Sequence, residues 1–311
     1  MDSGDDSDST QDVPDLGPVP ERLDVDAETV RRLVARQFGQ WATLPVTPVR
    51  QGGWDNHTFH LGDDLLVRLP SAAEYALAVE KEQHWLPRLA PQLPLPVPSP
   101  CGLGVPGEGY PFPWTVQRWL AGERVTFAGV ADQQQLAGDL AGFVAALRCI
   151  DPTDGPQPGV HNWFRGATLR TYDATARRAL DALAGLVDVD LATAAWQAAL
   201  DAPWDGEDTW FHGDLAEGNL LLERGRLVAV IDFGTCGVGD PSCDLAIAWT
   251  LLTAPARRTF RHRLGVDDAS WARGRGWALW KMLSGLAGAV ADGEEAEAAS
   301  LTRVLDELLR D

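Results

Sequence analysis

The pattern of hydrophobic and polar positions divides the chain into a strand-rich first part and a helical second part. Near the start, apolar residues recur at the spacing of one helix face: Val30, Leu33, Val34 and Phe38. This spacing predicts an amphipathic helix. Residues 47–70 instead alternate short apolar stretches with Gly-Gly and Gly-Asp-Asp, which is typical of three antiparallel strands.

Further elements are predicted up to Gly122. Residues 72–89 carry a helical pattern. The stretch LPLPVPSP after them is expected to be extended, because proline disfavours helix at its own position and at the one before it. The stretch PFPWTVQRWLAGE predicts a strand that ends in a connector, so a boundary between two lobes is expected near residues 117–122.

After Gly122 the apolar positions indicate mostly helix. Two stripes have helical spacing: Leu136, Leu140, Phe143, Val144 and Leu147 form one, and Leu301, Val304, Leu305 and Leu308 form the other. Between them, residues 219–233 predict a β-hairpin with a glycine-containing turn at residues 223–226. The predicted fold is α+β, with a small antiparallel-sheet N-terminal lobe and a larger, mainly helical C-terminal lobe.

These patterns give three segments. Residues 1–22 are rich in Asp, Ser and Pro and nearly devoid of large apolar groups, so a disordered acidic tail is expected. Residues 23–118 form the predicted N-terminal lobe, and residues 119–311 form the predicted C-terminal lobe. Clefts between such lobes are common ligand sites.

Charge narrows the class of partner. The formal net charge is −19, from 45 acidic and 26 basic side chains, and only Lys81 and Lys281 are lysines. A nucleic-acid site needs a basic patch, so no nucleic-acid partner is expected. The acidity is compatible with a cationic small molecule drawn into a cleft. General surface acidity explains it equally well.

The remaining composition indicates a cytoplasmic chain. The four cysteines lack the spacing of a zinc site, so reduced and mostly buried thiols are expected. The acidic start of the chain lacks the basic region of a signal peptide, and no run of 18 apolar residues occurs, so no membrane partner is expected. The oligomeric state stays open.

The chemistry is concentrated in residues 210–249. Asp214 precedes Asn219 by five positions, and Asp232 opens an Asp-Phe-Gly after the predicted hairpin. Kinases use this spacing for a catalytic Asp and two magnesium ligands, with little covalent help from the protein. Each residue alone could be a turn, a cap or a strand end. The joint spacing favours a phosphoryl-transfer site.

The sequence FHGDLAEGNLLL, followed by GRLVAVIDFGTCGVGDPSCDLAIAW, resembles the aminoglycoside phosphotransferase family, which also includes macrolide kinases and related small-molecule kinases. The resemblance extends over nearly the whole chain after about residue 25. It implies a two-lobed protein-kinase-like fold. It also implies that Asp214 is the catalytic base, that Asn219 and Asp232 bind Mg²⁺, and that His212 orients the loop.

The resemblance assigns less specific roles in the N-terminal lobe. Gly53 and Asn56 belong to the loop that would cover the phosphates. Arg68 takes the place of the family's phosphate-binding cation, since its fork suits phosphate. Its partner carboxylate is expected to be Glu82, with Glu80 as the alternative. The hinge at the purine would consist of Gln117, Arg118 and Trp119. Backbone contacts cannot be inferred from side chains, so ATP and GTP both remain possible donors.

Two further residues concern the substrate. In HGDLAEGN, Ala216 and Glu217 stand where the family usually has His-Pro, so the acceptor of the best-known members does not transfer easily. Glu217 is expected either to contact a cationic acceptor or to face solvent. Asp244 is expected to brace the catalytic loop and is also a candidate substrate residue. Residues 161–173 form either a substrate-side insertion or a connecting loop.

The functional expectation is a magnesium- and nucleotide-dependent O-phosphotransferase. Its acceptor would be a hydroxyl of a small molecule, most readily an aminoglycoside, macrolide or nucleoside antibiotic, as resistance or self-protection. A metabolic kinase for a sugar, amino alcohol or nucleoside is the first alternative, and a non-catalytic ligand-binding module is the second. A protein kinase is rejected, because no long activation loop and no Ala-Pro-Glu follow Asp232.

Overall fold

Residues 20–50 and 52–311 are described by a computed structural model. The predicted disordered tail therefore lies outside the described residues, except for its last three positions. Of these, Arg22 places its guanidinium 4.8 Å from the ring centre of Trp54. The next residue, Leu23, donates its backbone N–H to the carbonyl oxygen of Ser71.

The first sheet contains five antiparallel strands in the order β1-β2-β3-β5-β4. Their bounds are β1 Val46–Pro48, β2 Asn56–Leu61, β3 Leu65–Pro70, β4 Pro100–Gly104 and β5 Trp114–Arg118. Strands β2 and β3 form the hairpin expected from the Gly-Asp-Asp turn, with Thr58 opposite Arg68. The register places Arg68 opposite Thr115 of β5 as well, near the middle of the sheet.

Two small sheets lie in the second part of the chain. They comprise β6 Glu123–Arg124, β7 Thr209–Phe211, β8 Leu220–Glu223, β9 Arg226–Val230 and β10 Gly237–Gly239. The predicted hairpin is β8–β9, and Arg224 and Gly225 at its tip have φ of 51° and 77°. Two consecutive left-handed residues form the tight turn that matches the twist of a hairpin.

The helices that the structure describes are α1 Ala27–Gln37, α2 Ala73–Leu89, α3 Gln133–Arg148, α4 Asp173–Ala182, α5 Val189–Asp201, α6 Ile247–Thr250, α7 Ala254–Leu264, α8 Asp268–Asp292 and α9 Glu295–Arg310. The side chain of Asp26 caps α1 by accepting the N–H of Thr29. Helix α8 begins with Asp267 accepting the N–H of Ser270 and ends at Gly293 in the left-handed region. Both caps satisfy N–H or C=O groups that a helix leaves unpaired at its ends.

The two lobes have separate hydrophobic cores. The smaller core joins α1 to the five-stranded sheet through residues such as Leu33, Val67 and Trp114. The larger core fills the second part of the chain and includes all five residues of the predicted stripe in α3. Leu86 and Leu89, at the end of α2, belong to this larger core. Helix α2 therefore connects the lobes, and the cores do not follow a strict division at residue 118.

The cysteine prediction was partly wrong. All four cysteines are free, but Cys101 and Cys149 are exposed and only Cys236 and Cys243 are buried. Within residues 20–50 and 52–311, no helix combines the length and the apolar character that crossing a bilayer requires.

Candidate active site

A tight loop between β7 and β8 carries the predicted catalytic residue. It begins with His212 and Gly213, and Asp214 follows with part of its side chain exposed to the cleft. Gly213 has a φ of +85°, and a Cβ built there would lie 2.6 Å from the carbonyl oxygen of Thr235. Glycine is required here by both the conformation and the close approach of the Asp-Phe-Gly segment.

Asp244 holds this loop through two hydrogen bonds to its backbone. Its Oδ2 accepts the backbone N–H of His212 at 2.8 Å, and its Oδ1 accepts that of Gly213 at 2.7 Å. Asp244 is fully buried, and burial raises the pKa of its carboxyl. The geometry fits the expected brace. The predicted contact of Asp244 with substrate stays a prediction, which its burial and its two backbone hydrogen bonds do not favour.

His212 links the loop to the end of β9. The imidazole is fully buried, with Nε2 3.0 Å from the carbonyl oxygen of Ile231. Its Nδ1 accepts the backbone N–H of Asp214 at 3.2 Å. These two contacts require Nε2 to carry the proton. His212 therefore fixes Asp214 relative to Asp232, the next residue after Ile231, and does not itself reach the cleft.

The carboxylate of Asp214 is held at both oxygens. The amide nitrogen of Asn219 donates to Oδ2 at 3.0 Å and also to the carbonyl oxygen of Asp214 at 2.8 Å. The ammonium of Lys281, from α8, contacts Oδ1. Burial acts to raise the pKa of Asp214, but the charge and hydrogen bond of Lys281 outweigh it and lower the pKa to about 2. Asp214 is thus an ionised acceptor.

Arg68 joins both lobes at the cleft. Its guanidinium donates to Glu82 of α2 at 3.2 Å and to Oδ1 of Asp232 at 2.7 Å. Burial disfavours its charge, but the carboxylates of Asp232 and Glu82 outweigh that effect and raise the pKa of Arg68. The expected partner Glu82 is the one that the structure places there. Asp232 itself has a φ of 65°, a conformation that residues other than glycine rarely adopt outside functional turns.

Six of the seven predicted nucleotide-binding residues line one cleft of about 710 Å³, and the seventh, Glu82, contacts it only through Arg68. The structure brings Gly53, Asn56, Arg68, Gln117, Arg118 and Trp119 together with Asp214, Asn219 and Asp232 on its walls. Gln117 is buried, and its side-chain nitrogen has no hydrogen-bond partner among the described residues. A buried amide without a partner is costly, so this donor fits a ligand with an acceptor atom.

Asn219 and Asp232 fit a hard divalent cation. Carboxylate and amide oxygens are the protein ligands that Mg²⁺ takes, together with phosphate oxygens and water. Because the amide nitrogen of Asn219 is bound to Asp214, its amide oxygen remains for a metal. Within the described part of the chain, no cluster of three or more His, Cys, Asp or Glu residues has metal-binding geometry. The pair would therefore need ligands from a nucleotide.

Glu217 does not line the cleft. It begins a short 3₁₀ turn, Glu217–Asn219, and its side chain lies against the backbone of Phe127. Burial raises the pKa of this carboxyl. Among its neighbours, Gly218 and Asn219 do face the cleft. The predicted contact with an acceptor thus stays a prediction, and the structure places Glu217 one position away from the wall.

Residues 161–173 contact the catalytic loop. Arg165 donates to the carbonyl oxygen of Gly213 at 3.2 Å and to the hydroxyl of Tyr172 at 2.5 Å. Its guanidinium also lies 4.5 Å from the ring centre of Trp280 on α8. The segment therefore connects the loop to α8 and adds a positive charge close to Asp214.

Four residues that contact or face the predicted catalytic and metal-binding segments were not predicted from the sequence: Lys81, Asp55, Arg165 and Lys281. Lys81 is partly buried and donates to the carbonyl oxygens of Gly234 at 2.7 Å and Cys236 at 3.0 Å, which holds the Asp-Phe-Gly segment against α2. Asp55 faces Asp232 and Asp214, and burial together with their charges raises its pKa to about 7. One signal was available in the sequence, which has only two lysines: the structure places one against the Asp-Phe-Gly segment and the other against Asp214.

The fold and this site define a two-lobed, kinase-like phosphotransferase class. The sequence pattern of the phosphotransferase enzyme family, abbreviated APH, matches residues 46–278, and the chain belongs to this family. An aminoglycoside 3′-phosphotransferase from Escherichia coli is 30% identical over 69 residues, which are 21% of this chain and 26% of that protein. The aligned part thus spans about a quarter of this curated relative.

Solved structures show the same fold over most of the chain. A GDP and kanamycin complex of the enzyme APH(2″)-IIIa has a TM-score of 0.70 at 20% identity, covering 90% of this chain and 97% of that one. The apoenzyme of macrolide 2′-phosphotransferase MphH from Brachybacterium faecium has a TM-score of 0.57 at 22% identity, with coverages of 90% and 97%. The predicted two-lobed kinase-like α+β fold is confirmed.

Proposed function

We propose that this chain transfers the terminal phosphoryl group of a Mg²⁺-bound nucleoside triphosphate to a hydroxyl of a small molecule. One observation carries the proposal: Asp214, Asn219 and Asp232 converge in the same cleft as the buried pair of Arg68 and Glu82. Phosphoryl transfer needs a positioned nucleophile, charge neutralisation and a cradle for the nucleotide. The residues supply one group for each requirement.

Asp214 acts on the acceptor. Its ionised carboxylate receives a hydrogen bond from the acceptor hydroxyl and then its proton, as the oxygen attacks phosphorus. Against the effect of burial, the contact with Lys281 lowers the pKa of Asp214 to about 2, so the carboxylate is ionised before the acceptor binds; its main contribution is orientation, and the proton leaves late in the step. This division suits phosphoryl transfer, in which the bond to the leaving group breaks early.

Arg68 and the metal ligands act on the nucleotide. Glu82 and Asp232 hold Arg68 in place, so its guanidinium contributes a permanent charge beside the phosphates. Asn219 and Asp232 would bind Mg²⁺, which neutralises phosphate charge when bound. Gln117 offers its unpaired amide N–H to the base of the nucleotide. A ring nitrogen of adenine, or a ring nitrogen or the carbonyl oxygen of guanine, would accept it. Neighbouring enzymes are solved with GDP and with ATP.

The acceptor class proposed is an antibiotic of the aminoglycoside or macrolide type. Family membership supports it, as do neighbours solved with kanamycin and gentamicin and a macrolide 2′-phosphotransferase. The expected cationic acceptor cannot place its positive charge everywhere in the site. Lys281 and Arg165 both place positive charge beside Asp214. The reacting hydroxyl therefore belongs on an uncharged part of the acceptor, with any amine held at a distance from these two cations.

An acceptor panel tests the proposal. Purified protein is incubated with Mg²⁺, each of ATP and GTP, and aminoglycosides, macrolides, nucleoside antibiotics, sugars and amino alcohols. Mass spectrometry then detects a phosphorylated acceptor by its gain of about 80 Da, the mass of the HPO₃ unit that phosphoryl transfer adds. Phosphorylation of an antibiotic supports the proposal. Phosphorylation of only a metabolite replaces the antibiotic assignment, and nucleotide binding with no transfer in any mixture contradicts enzymatic function.

A further inference from the structure

Lys281 contacts one of the two oxygens of Asp214 that can accept the acceptor hydroxyl. Both oxygens of Asp214 are engaged, Oδ2 by Asn219 and Oδ1 by the ammonium of Lys281. Asn219 also donates to the carbonyl oxygen of Asp214, so its amide is held at two points. A carboxylate oxygen accepts more than one hydrogen bond, so an incoming hydroxyl can share Oδ1 with Lys281 or take its place. Lys281, held by one contact, yields more readily than Asn219.

The position of Lys281 is set by a rigid helix. Trp277, Leu279 and Leu283 on α8 are buried in the larger core, which fixes the backbone on both sides of Lys281. The side chain is 20% exposed, and its ammonium contacts Asp214, which lines the cleft. Four rotatable carbon–carbon bonds allow its ammonium to move by a few ångströms while the helix stays in place.

Lys281 has fewer partners than Arg68 and Lys81, the other two cations that contact the Asp-Phe-Gly segment or the catalytic loop from α2 and the first sheet. Arg68 is bound by Glu82 and Asp232. Lys81 is bound by the carbonyl oxygens of Gly234 and Cys236. By contrast, Asp214 is the one hydrogen-bond partner of Lys281 among the described residues. An ammonium has three N–H donors, so two of them remain for a ligand.

Arg165 cannot take the same role. Its guanidinium is bound by the carbonyl oxygen of Gly213 and the hydroxyl of Tyr172, and it packs on Trp280. Arg165 thus places a positive charge at a fixed position beside the catalytic loop. A terminal phosphoryl group placed for attack by a hydroxyl at Asp214 would lie beside the ammonium of Lys281 and offer it a new anionic partner.

We propose that Lys281 is a further catalytic residue, which exchanges its contact with Asp214 for one with the transferred phosphoryl group. In this step the acceptor oxygen forms a bond to phosphorus, and the bond from phosphorus to the bridging oxygen of the nucleoside diphosphate breaks. The diphosphate takes the electron pair, and Asp214 takes the acceptor proton. Lys281 remains an ammonium and stabilises the charge on the phosphoryl oxygens. The inference rests on the proposed function.

Two variants of Lys281 and one matched control test this role. Lys281→Met removes the ammonium, and Lys281→Arg keeps the charge on a different geometry. Arg275→Met removes a cation from the same helix that contacts the carbonyl oxygen of Leu308, away from the cleft. Each protein is titrated with Mg²⁺ and a non-hydrolysable triphosphate analogue, and separately with Mg²⁺ and the diphosphate. Turnover of an acceptor found in the panel is measured in parallel.

Lys281→Met is expected to raise the Kd of the triphosphate analogue roughly tenfold, the effect of one lost charge-assisted hydrogen bond. The Kd of the diphosphate should change by less than about threefold, because it lacks the group that Lys281 contacts. Because the lost contact is with the transferred phosphoryl group, kcat should fall about 10²- to 10³-fold with little change in acceptor KM. Lys281→Arg should regain at least about a tenth of kcat. Arg275→Met should leave both affinities unchanged.

Three results would overturn the role. The first is a kcat for Lys281→Met within about threefold of the unmodified enzyme, far from the loss expected of a phosphoryl contact. The second is an equal loss of triphosphate and diphosphate affinity, which indicates a collapsed cleft. The third is an Arg275→Met variant that behaves like Lys281→Met. If the unmodified chain bound no Mg-nucleotide, the proposed function itself would fail and this role with it.

Discussion

The guanidinium of Arg68 lies 2.7 Å from Oδ1 of Asp232, although the two residues are 164 positions apart. Arg68 comes from the sheet of the smaller lobe, and Asp232 comes from the loop after β9 in the larger lobe. The same guanidinium binds Glu82 of α2. One buried cation therefore sets the distance between the metal-binding loop and the sheet that covers the nucleotide.

Arg68→Met is expected to destabilise the protein and to abolish most activity. The variant leaves the carboxylate of Glu82 buried without a partner, and breaking a buried ion pair costs about 3–5 kcal/mol. Urea denaturation measures this loss. The double variant Arg68→Met/Glu82→Leu should recover much of the stability while turnover stays low. Recovery of activity in the double variant would show that Arg68 serves only the fold.

Contacts between residues that are close in the sequence were predicted, and contacts between residues that are far apart in the sequence were not. Asp214, Asn219 and Asp232 were identified because their chemistry fixes their spacing within one short segment. The β8–β9 hairpin was predicted for the same reason, from a local turn signal. Lys281, Arg165 and Asp55 were not found, because their approach to Asp214 depends on how α8, the 161–173 segment and the phosphate loop pack. No local pattern encodes that packing.

Burial also limited the sequence interpretation of polar residues. Asp244 was assigned both a brace and a substrate contact, and only the structure shows that both of its oxygens accept backbone N–H groups. Glu217 looks exposed in the sequence but turns toward the backbone of Phe127. The direction in which a side chain points depends on loop geometry, which composition and spacing do not determine.

Gly213→Ala is expected to lower both stability and activity. The new Cβ would approach the carbonyl oxygen of Thr235 to 2.6 Å, and φ of +85° is strained for alanine. A loss of roughly 1–3 kcal/mol follows from such strain. Gly218→Ala is the matched control for the melting temperature, because it lies in the same loop with no atom within 4 Å of the added methyl. Equal melting temperatures for the two variants would contradict the conformational argument.

Asp55 should make stability depend on pH. Its folded-state pKa of about 7 lies above its ordinary value of 3.8, so the folded state binds the proton more tightly than the unfolded state does. The stabilisation is complete below about pH 4 and is lost as pH rises through 7. Without Mg²⁺ and nucleotide, Asp55→Asn should therefore raise the melting temperature at pH 8 by at least about 2 °C and change it little at pH 4.

Asp63→Asn is the matched control for this pH series, because Asp63 lies at the exposed turn between β2 and β3. The two variants lose the same charge. A gain at pH 8 in Asp63→Asn as large as that in Asp55→Asn would assign the effect to net charge. The local carboxylates would then have no special part in it.

Gln117→Leu should stabilise the free protein and weaken nucleotide binding. The substitution removes a buried amide nitrogen that has no partner in the described residues, which favours the folded state without nucleotide. It also removes the donor proposed for the purine, so the nucleotide Kd should rise by roughly tenfold. Calorimetric melting and nucleotide titration measure the two effects. Stronger or unchanged nucleotide binding would remove Gln117 from the hinge.

Gln83→Leu is the matched control for Gln117→Leu. The amide of Gln83 donates to the hydroxyl of Thr115 at 2.7 Å and to the carbonyl oxygen of Gly102 at 3.2 Å, so its polar atoms are satisfied by the protein. Its replacement should lower the melting temperature and leave the nucleotide Kd unchanged. The opposite signs for the two glutamines separate a ligand contact from a structural one.

The central claim is that Asp214 positions an acceptor hydroxyl for phosphoryl transfer. The most direct measurement compares kcat and Mg-nucleotide Kd for the unmodified enzyme and Asp214→Asn, using an acceptor found in the panel. The account predicts a kcat at least about 10²-fold lower in Asp214→Asn, with a nucleotide Kd within about threefold of the unmodified value. A variant that retains more than about a tenth of kcat would contradict the assignment of Asp214 as the residue that receives the acceptor proton.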